Sequence, residues 1–463
     1  MSETAANPSI EEKTNSEAPL VEGSIWRSIW IMSWPLLLTT VSNSLVGLVD
    51  VKVAMKLGSA SQASVGVAEH IVFMFLIFLM SAAVGTTAVV SRAFGAKDHA
   101  LAIRGISQSI VLALGMGVAL TLTCFAISQT LLSLFTPSPE VLSLATSYLS
   151  IYTFILIPFS LISIITASFR AAGNAKTPLL IIGSMTVVNI AGDFLTIYGN
   201  WPVPNLGVKG IAWSGLAADC VGAIIGLFCL KFSNLKDSLD QLLPYHRDTI
   251  MRVFKIGMPS AFQRLGWAFS LFMVIFILKL CANPTAAIAS LTIGMRVEAL
   301  LFMPLLALSL AISSIVGQNL GAKQYERAFK AGWQITWIGI GLMLVLAVGM
   351  FLMAGALAAT MSQDPDTIGY VTSYLRTNAL CEPMLALGMI LGGALQGAGD
   401  TQTPMWITLI TQWTVRLPLA WFLALYFGLG PQGAWAAMAI SVYCMGLLVA
   451  ARYQSKAWIK IKV

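Results

Sequence analysis

Long apolar blocks alternate with short polar stretches along all 463 residues. Each block holds 18 to 30 mostly apolar residues, and about 20 suffice for a helix to cross a bilayer. The ten-residue, period-2 alternation of a membrane barrel is absent. The pattern predicts an all-α polytopic membrane protein with twelve transmembrane helices, near 28–55, 63–91, 105–129, 141–168, 177–198, 209–231, 255–281, 286–316, 331–359, 368–396, 404–428 and 433–453. Residues 1–24, with "ANPSIEEKTNSEAP", are polar and acidic and read as a disordered tail without a cleavable signal peptide.

Composition agrees: 57% of residues are hydrophobic and 10% charged, against about a quarter charged in soluble domains. The net charge of +7 is not a nucleic-acid footprint, because Lys and Arg gather in alternate loops. Arg92, Lys97 and Arg104 follow span 2, and Arg170 and Lys176 follow span 4. Lys231, Lys236, Arg247, Arg252 and Lys255 follow span 6, and Lys323, Arg327 and Lys330 follow span 8. The positive-inside rule then puts both termini in the cytoplasm. The six Cys lie in or beside apolar spans without a metal or disulfide spacing. No nucleophile–base pair is visible, so neither an enzyme nor a cofactor is expected.

The chain repeats itself. "TSYL" begins at Thr146 and at Thr372; "VSRAFGAK" (90–97) faces "VGQNLGAK" (316–323); "RAAGNAKTP" (170–178) faces "QGAGDTQTP" (396–404), all at an offset of 226. Three anchors at one offset indicate a tandem duplication of six helices. Two lobes are expected, N (25–231) and C (255–463), joined by a linker at 232–254 and related by a pseudo-two-fold along the membrane normal. The shared Gly-Ala-Lys and Thr-Pro anchors read as turn and cap chemistry.

Positions that differ between the copies are candidates for lobe-specific work. Span 5 holds "VVNIAGDFLTIY", with Asn189 and Asp193 four apart on one helix face. The matched "WTVRLPLAWFLA" has no acid. Asp50 in span 1 also lacks an acidic counterpart in "FSLFMVIFIL" of span 7. A charged Asp at mid-membrane costs roughly 2.5–3.5 kcal/mol. A proton or a cation relieves much of that, and carboxyl groups sharing a pocket disfavour each other's ionisation. Asp50 and Asp193 thus form a candidate coupling site for H⁺, or with Asn189 and backbone carbonyls for Na⁺. Asn43 extends the Asp50 face. Lys52 is about 200° around the helix from Asp50 and does not face it.

Other polar residues in the spans carry alternatives. Asp219, near Gly215, Gly222 and Gly226, suits a cavity or close packing. His70, matched by Arg296, could carry protons or serve as a cavity or interface residue. Gln263, Arg264, Arg296, Glu298, Glu382 and Arg416 are potentially buried in the C-lobe; Glu382 is a possible substrate or ion contact, and Arg416 a donor to loop carbonyls. The 21 Met and the aromatic residues suit a pocket for varied flat ligands or ordinary helix packing.

"RAFGAKD" after span 2, "RAAGNAKTP" after span 4, "MRVEALLFMP" in span 8 and "GQNLGAKQYERA" after it resemble the multidrug and toxic compound extrusion (MATE) family. "LVGLVD" and "NIAGD" resemble its branch named after the DNA-damage-inducible protein F. The resemblance implies a V-shaped fold, with Asp50, Asn189 and Asp193 as the cation or proton site and Tyr148 in its polar network. It further implies alternating-access export of organic cations and amphipathic drugs in exchange for H⁺ or Na⁺, by a monomer in the cell's inner or plasma membrane. Four departures stand out. Lys52 replaces a small or apolar residue. In "GVKGIAWSG", Gly215 replaces a hydroxyl and Ser214 precedes it, which puts H⁺ ahead of Na⁺. "PSAFQRLGW" offers Gln263 and Arg264 where the sister branch has an acid, and Glu382 stands about a turn from that branch's acid in span 10. A lipid-linked precursor flippase of the same superfamily is the alternative.

Overall fold

The computed structural model describes residues 20–135, 138–198, 206–461 and 463, and no strand occurs among them. Among the described residues, eleven helices are long and apolar enough to cross a membrane. In chain order they are α1 (Ile25–Lys56), α2 (Ser59–Gly95), α3 (His99–Phe135), α4 (Pro139–Ala171), α5 (Lys176–Tyr198), α6 (Val208–Lys231), α7 (Arg247–Lys279), α8 (Pro284–Gly321), α9 (Tyr325–Met361), α10 (Pro365–Gly397) and, after a gap, α12 (Pro431–Gln454). The twelfth crossing, α11 (402–426), is helical but broken by π-helical stretches at Thr411–Arg416 and Phe422–Tyr426. The polar stretch between the lobes is shorter than its composition suggests. It forms a single turn at Asp237–Asp240, and α7 already begins at Arg247. The acidic tail expected at 1–24 falls almost wholly outside the described residues.

The duplication is written in the backbone. Asp98 N–H bonds Ala93 O as Gln324 N–H bonds Asn319 O, and Asn174 N–H bonds Phe169 O as Asp400 N–H bonds Leu395 O. Gly173 and Gly399 take φ of 86° and 85°, and Lys97 and Lys323 both take 58°. Each pair is separated by the 226-residue repeat. At α4 and α10, Pro139 and Pro365 occupy the first turn, where a missing N–H costs nothing.

The Gly-Ala-Lys anchors do more than the expected capping. The left-handed cap residue is the lysine in each copy, and the glycines serve the contact between lobes. A methyl on Gly95 would collide with the Gln318 carbonyl, and one on Gly321 with the Arg92 carbonyl. Arg92 and Gln318 are themselves repeat mates, so this is a reciprocal crossing of α2 and α8. Gly85 and Gly257 make a second reciprocal crossing, against the carbonyls of Val253 and Ser81. Side chains close the same end. Arg92 donates across the seam to Ala398 O and Ile461 O at 2.7 Å each, and Gln318 Nε2 to Ala171 O at 2.7 Å.

All these contacts lie at the end that carries the basic loops. At the opposite end, the buried clusters keep to their own lobes. One joins Val65, Ile71, Tyr148, Leu149 and Ile211; the other joins Val274, Leu291, Tyr374, Leu375 and Trp435. The lobes are thus closed together at the basic end and packed separately at the other. Helix α1 spans both arrangements. Its first half puts Ile29, Met32 and Leu36 into the C-lobe core, while Val53 packs in the N-lobe. Pro35 sits inside the half anchored in the C-lobe, between Met32 and Leu36, and removes a backbone hydrogen bond there.

Candidate functional site

Five helices of the N-lobe converge on one polar group. Asp193 of α5 is fully buried and Asp50 of α1 is partly exposed; the two lie within side-chain hydrogen-bonding reach. Ser214 of α6 donates from Oγ to Asp193 Oδ1, and the same hydroxyl lies 2.9 Å from Ile211 O. One hydroxyl proton serves one acceptor at a time, so Ser214 can switch between them as the Asp193 charge changes. Gly192 permits this approach, since a Cβ there would sit 2.6 Å from Ser214 Cβ.

One turn earlier on α5, Asn189 is 7% exposed. A Cβ on Gly215 would lie 3.8 Å from its Nδ2 and 3.2 Å from the Tyr152 ring. The absence of a side chain at 215 therefore leaves room for an aromatic ring beside Asn189. Tyr152 stands 4.9 Å from the Tyr148 ring, and the Tyr148 hydroxyl donates to Glu69 Oε1 at 3.5 Å. Asp219 is buried, and it lies within electrostatic reach of Tyr152, as do the half-buried Glu69 and Asp50.

The group is short of donors. Asp50 Oδ1, Asp193 Oδ2, Asp219 Oδ2 and Asn189 Oδ1 are buried without a hydrogen-bond partner. Each such acceptor costs about 1–3 kcal/mol. Among the described residues no Lys or Arg forms an ion pair with any of these acids, and Lys52 is exposed. A proton on one carboxyl group gives its neighbour the missing donor.

Other predicted positions lie elsewhere. His70 and Asn43 are exposed, and the His70 ring nitrogen pairs with Gly66 O at 2.7 Å. His70 is therefore not among the buried groups; the residue before it is the one that meets Tyr148. Gln263 is tied within the C-lobe, donating to Thr408 Oγ1 at 2.9 Å and accepting from Gln396 Nε2 at 3.2 Å. Arg264 is half-buried on the same helix. Glu382 is 1% exposed with neither carboxyl oxygen partnered, near Glu298. Arg416 does not reach loop carbonyls; its Nε donates to Ser441 Oγ at 2.8 Å, near Glu298. The C-lobe thus encloses its own polar group, apart from the N-lobe acids.

Glu69, Tyr152 and the Ser214–Asp193 bond were missed as site features. Glu69 had a signal, being an acid in an apolar span. The strict 226 offset matches it to Met295, however, and hides its kinship with Glu298, one helical turn further on. A cavity of about 260 Å³ lies away from these acids, at the basic end of the seam, against Arg92, Arg252 and Lys323.

The MatE family profile matches residues 35–195 and 259–422, one match in each lobe and together more than half of the chain. The chain belongs to the MatE family. Its members are transporters rather than enzymes. Among MatE relatives, the chain is 25% identical to the uncharacterized transporter YisQ of Bacillus subtilis, covering 94% of this chain and 95% of that protein. It is 28% identical to the probable multidrug resistance protein NorM of Thermotoga maritima, over 93% and 92% of the two chains. The fold matches a MOP superfamily transporter from Pyrococcus furiosus with a TM-score of 0.89 at 21% identity, over 97% and 100% of the chains. An outward-facing multidrug resistance MATE transporter matches at 0.90 and 21%, over the same shares. The protein is thus a multi-pass membrane transporter.

Proposed function

We propose that this transporter expels organic cations and amphipathic drugs in exchange for protons, with Na⁺ the less favoured coupling ion. The observation that carries this reading is the Asp50–Asp193 pair, where two carboxyl groups within hydrogen-bonding reach each keep a buried oxygen without a donor. With the basic loops in the cytoplasm of an inner or plasma membrane, the closed end faces inward and the described state is open outward. A proton taken up from outside neutralises the pair and lets Ser214 turn to Ile211 O. The N-lobe helices then rearrange about α1, whose halves are anchored in different lobes, and substrate leaves outward. Reorientation releases the proton inside.

Relatives named as probable multidrug resistance proteins support the substrate class. The acids of the N-lobe wall favour cationic substrates over the anionic headgroup of a lipid-linked precursor. Asp50→Asn and Asp193→Asn are expected to abolish pH-driven ethidium efflux in proteoliposomes while leaving the purified protein folded. Undiminished coupling in both variants overturns the proposal.

A further inference from the structure

We infer that Glu69 is a second proton-binding carboxyl group of the N-lobe site, so that each cycle exchanges two protons for one monovalent organic cation. The inference rests on the proton-exchange reading and adds its stoichiometry.

The duplication supplies an internal control. Both lobes hold a Tyr–Glu pair: Tyr148 with Glu69 at 3.5 Å, and its repeat mate Tyr374 with Glu298 at 2.6 Å. The surroundings of the two pairs have diverged. Glu298 has Arg416 as an electrostatic neighbour, and Arg416 is anchored on Ser441. The residue matching Arg416 in the N-lobe is Ile190, so Glu69 has no such cation. The groups that face it are Asp50 from α1, Tyr148 and Tyr152 from α4, and Asp193 from α5, with His70 beside it on α2. Asp219 of α6 reaches the same Tyr152. The one adjacent base, His70, is exposed and paired with its own helix. In the C-lobe copy Arg416 offsets part of the charge on Glu298, which also has Glu382 beside it; the N-lobe copy has no arginine in that place, and the relief falls to a proton.

Two protons rather than one follow from the spacing. Asp50 and Asp193 are in direct reach, and two such carboxyl groups share a single proton. Glu69 is bonded instead to Tyr148 and takes its proton separately. It is half-buried where Asp193 is fully enclosed, so water can reach it in the open state. Both protons come from the outer water and leave to the inner water, and no bond other than O–H is made or broken.

The charge balance makes this testable. One proton against one monovalent cation moves no net charge; two protons move one. The test is ethidium accumulation in proteoliposomes under a K⁺–valinomycin potential at equal pH, after subtraction of protein-free vesicles. Wild type is expected to shift its accumulation ratio by about 50-fold per 100 mV. Glu69→Gln is expected to ignore the potential yet still respond to a pH gradient. Glu69→Asp, which restores a carboxyl group, is expected to regain the potential response, and Glu298→Gln to keep it. Equal potential responses in wild type and Glu69→Gln, or a wild type driven by pH but not by potential, overturn the inference alone. A wild type driven by neither overturns the exchange reading and the inference with it.

Discussion

The reciprocal glycine crossings make the closed end of the seam the most sensitive place to perturb the conformational balance. Gly95 and Gly321 face backbone carbonyls of the opposite lobe so closely that a methyl group cannot fit. Backbone carbonyls at a helix crossing cannot swing aside as a side-chain tip would, so the lobes must separate. Overpacking of this kind costs about 1–3 kcal/mol. Only the state in which these helices cross bears that cost, so Gly95→Ala is expected to shift the equilibrium away from it by about 5- to 150-fold. Spin labels at Ser59 and Thr285, exposed repeat mates at the starts of α2 and α8, would report the shift by pulsed electron resonance in a background without the native cysteines. The prediction is a shorter label distance in Gly95→Ala, as the open end closes, with Gly321→Ala acting in the same direction. A distance distribution identical to the parent in both variants would refute the claim that these glycines set the closed state.

Further outcomes follow from single contacts. Ser214→Ala removes a charge-assisted hydrogen bond of about 1.5–3 kcal/mol from Asp193, and pH-driven exchange is expected to slow by about tenfold or more. Arg92→Ala removes two donors from the seam at Ala398 and Ile461, and the same label pair should report a partial shift in the direction of Gly95→Ala. At the start of α10, the Thr367 hydroxyl and N–H hold the Asp364 carboxyl group below its ordinary range. Its capping contribution is therefore present above the ordinary carboxylate value and lost as pH falls through the lowered one. Asp364→Ala should lower the melting temperature in detergent at neutral pH and leave it unchanged in strong acid.

Much of the fold was legible because membrane helices announce themselves by length and hydropathy, and because a duplication repeats its anchors. The break-up of α11 was not, since an apolar stretch long enough to cross a membrane reads as one continuous helix whether or not π-helical turns interrupt it. The Asp50–Asp193 pairing was legible from the asymmetry between the copies. The glycine crossings were not, because a Gly-Ala-Lys motif at a helix end suits a cap as well as a close approach. Glu69 stayed hidden for a different reason. Comparing copies at a fixed offset finds residues gained or lost in place, and this Tyr–Glu pair persists in both lobes with its acid displaced by one turn. Only the packing of α2 on α4 shows that Tyr148 meets it.

The central claim is that buried carboxyl groups of the N-lobe couple transport to protons. The most direct measurement is ethidium transport in proteoliposomes under a pH gradient and a Na⁺ gradient imposed separately. A pH gradient without Na⁺ is expected to drive transport in wild type and not in Asp193→Asn, with a Na⁺ gradient at equal pH driving neither. Transport driven by Na⁺ at equal pH, or a pH response that survives Asp193→Asn, would contradict the account.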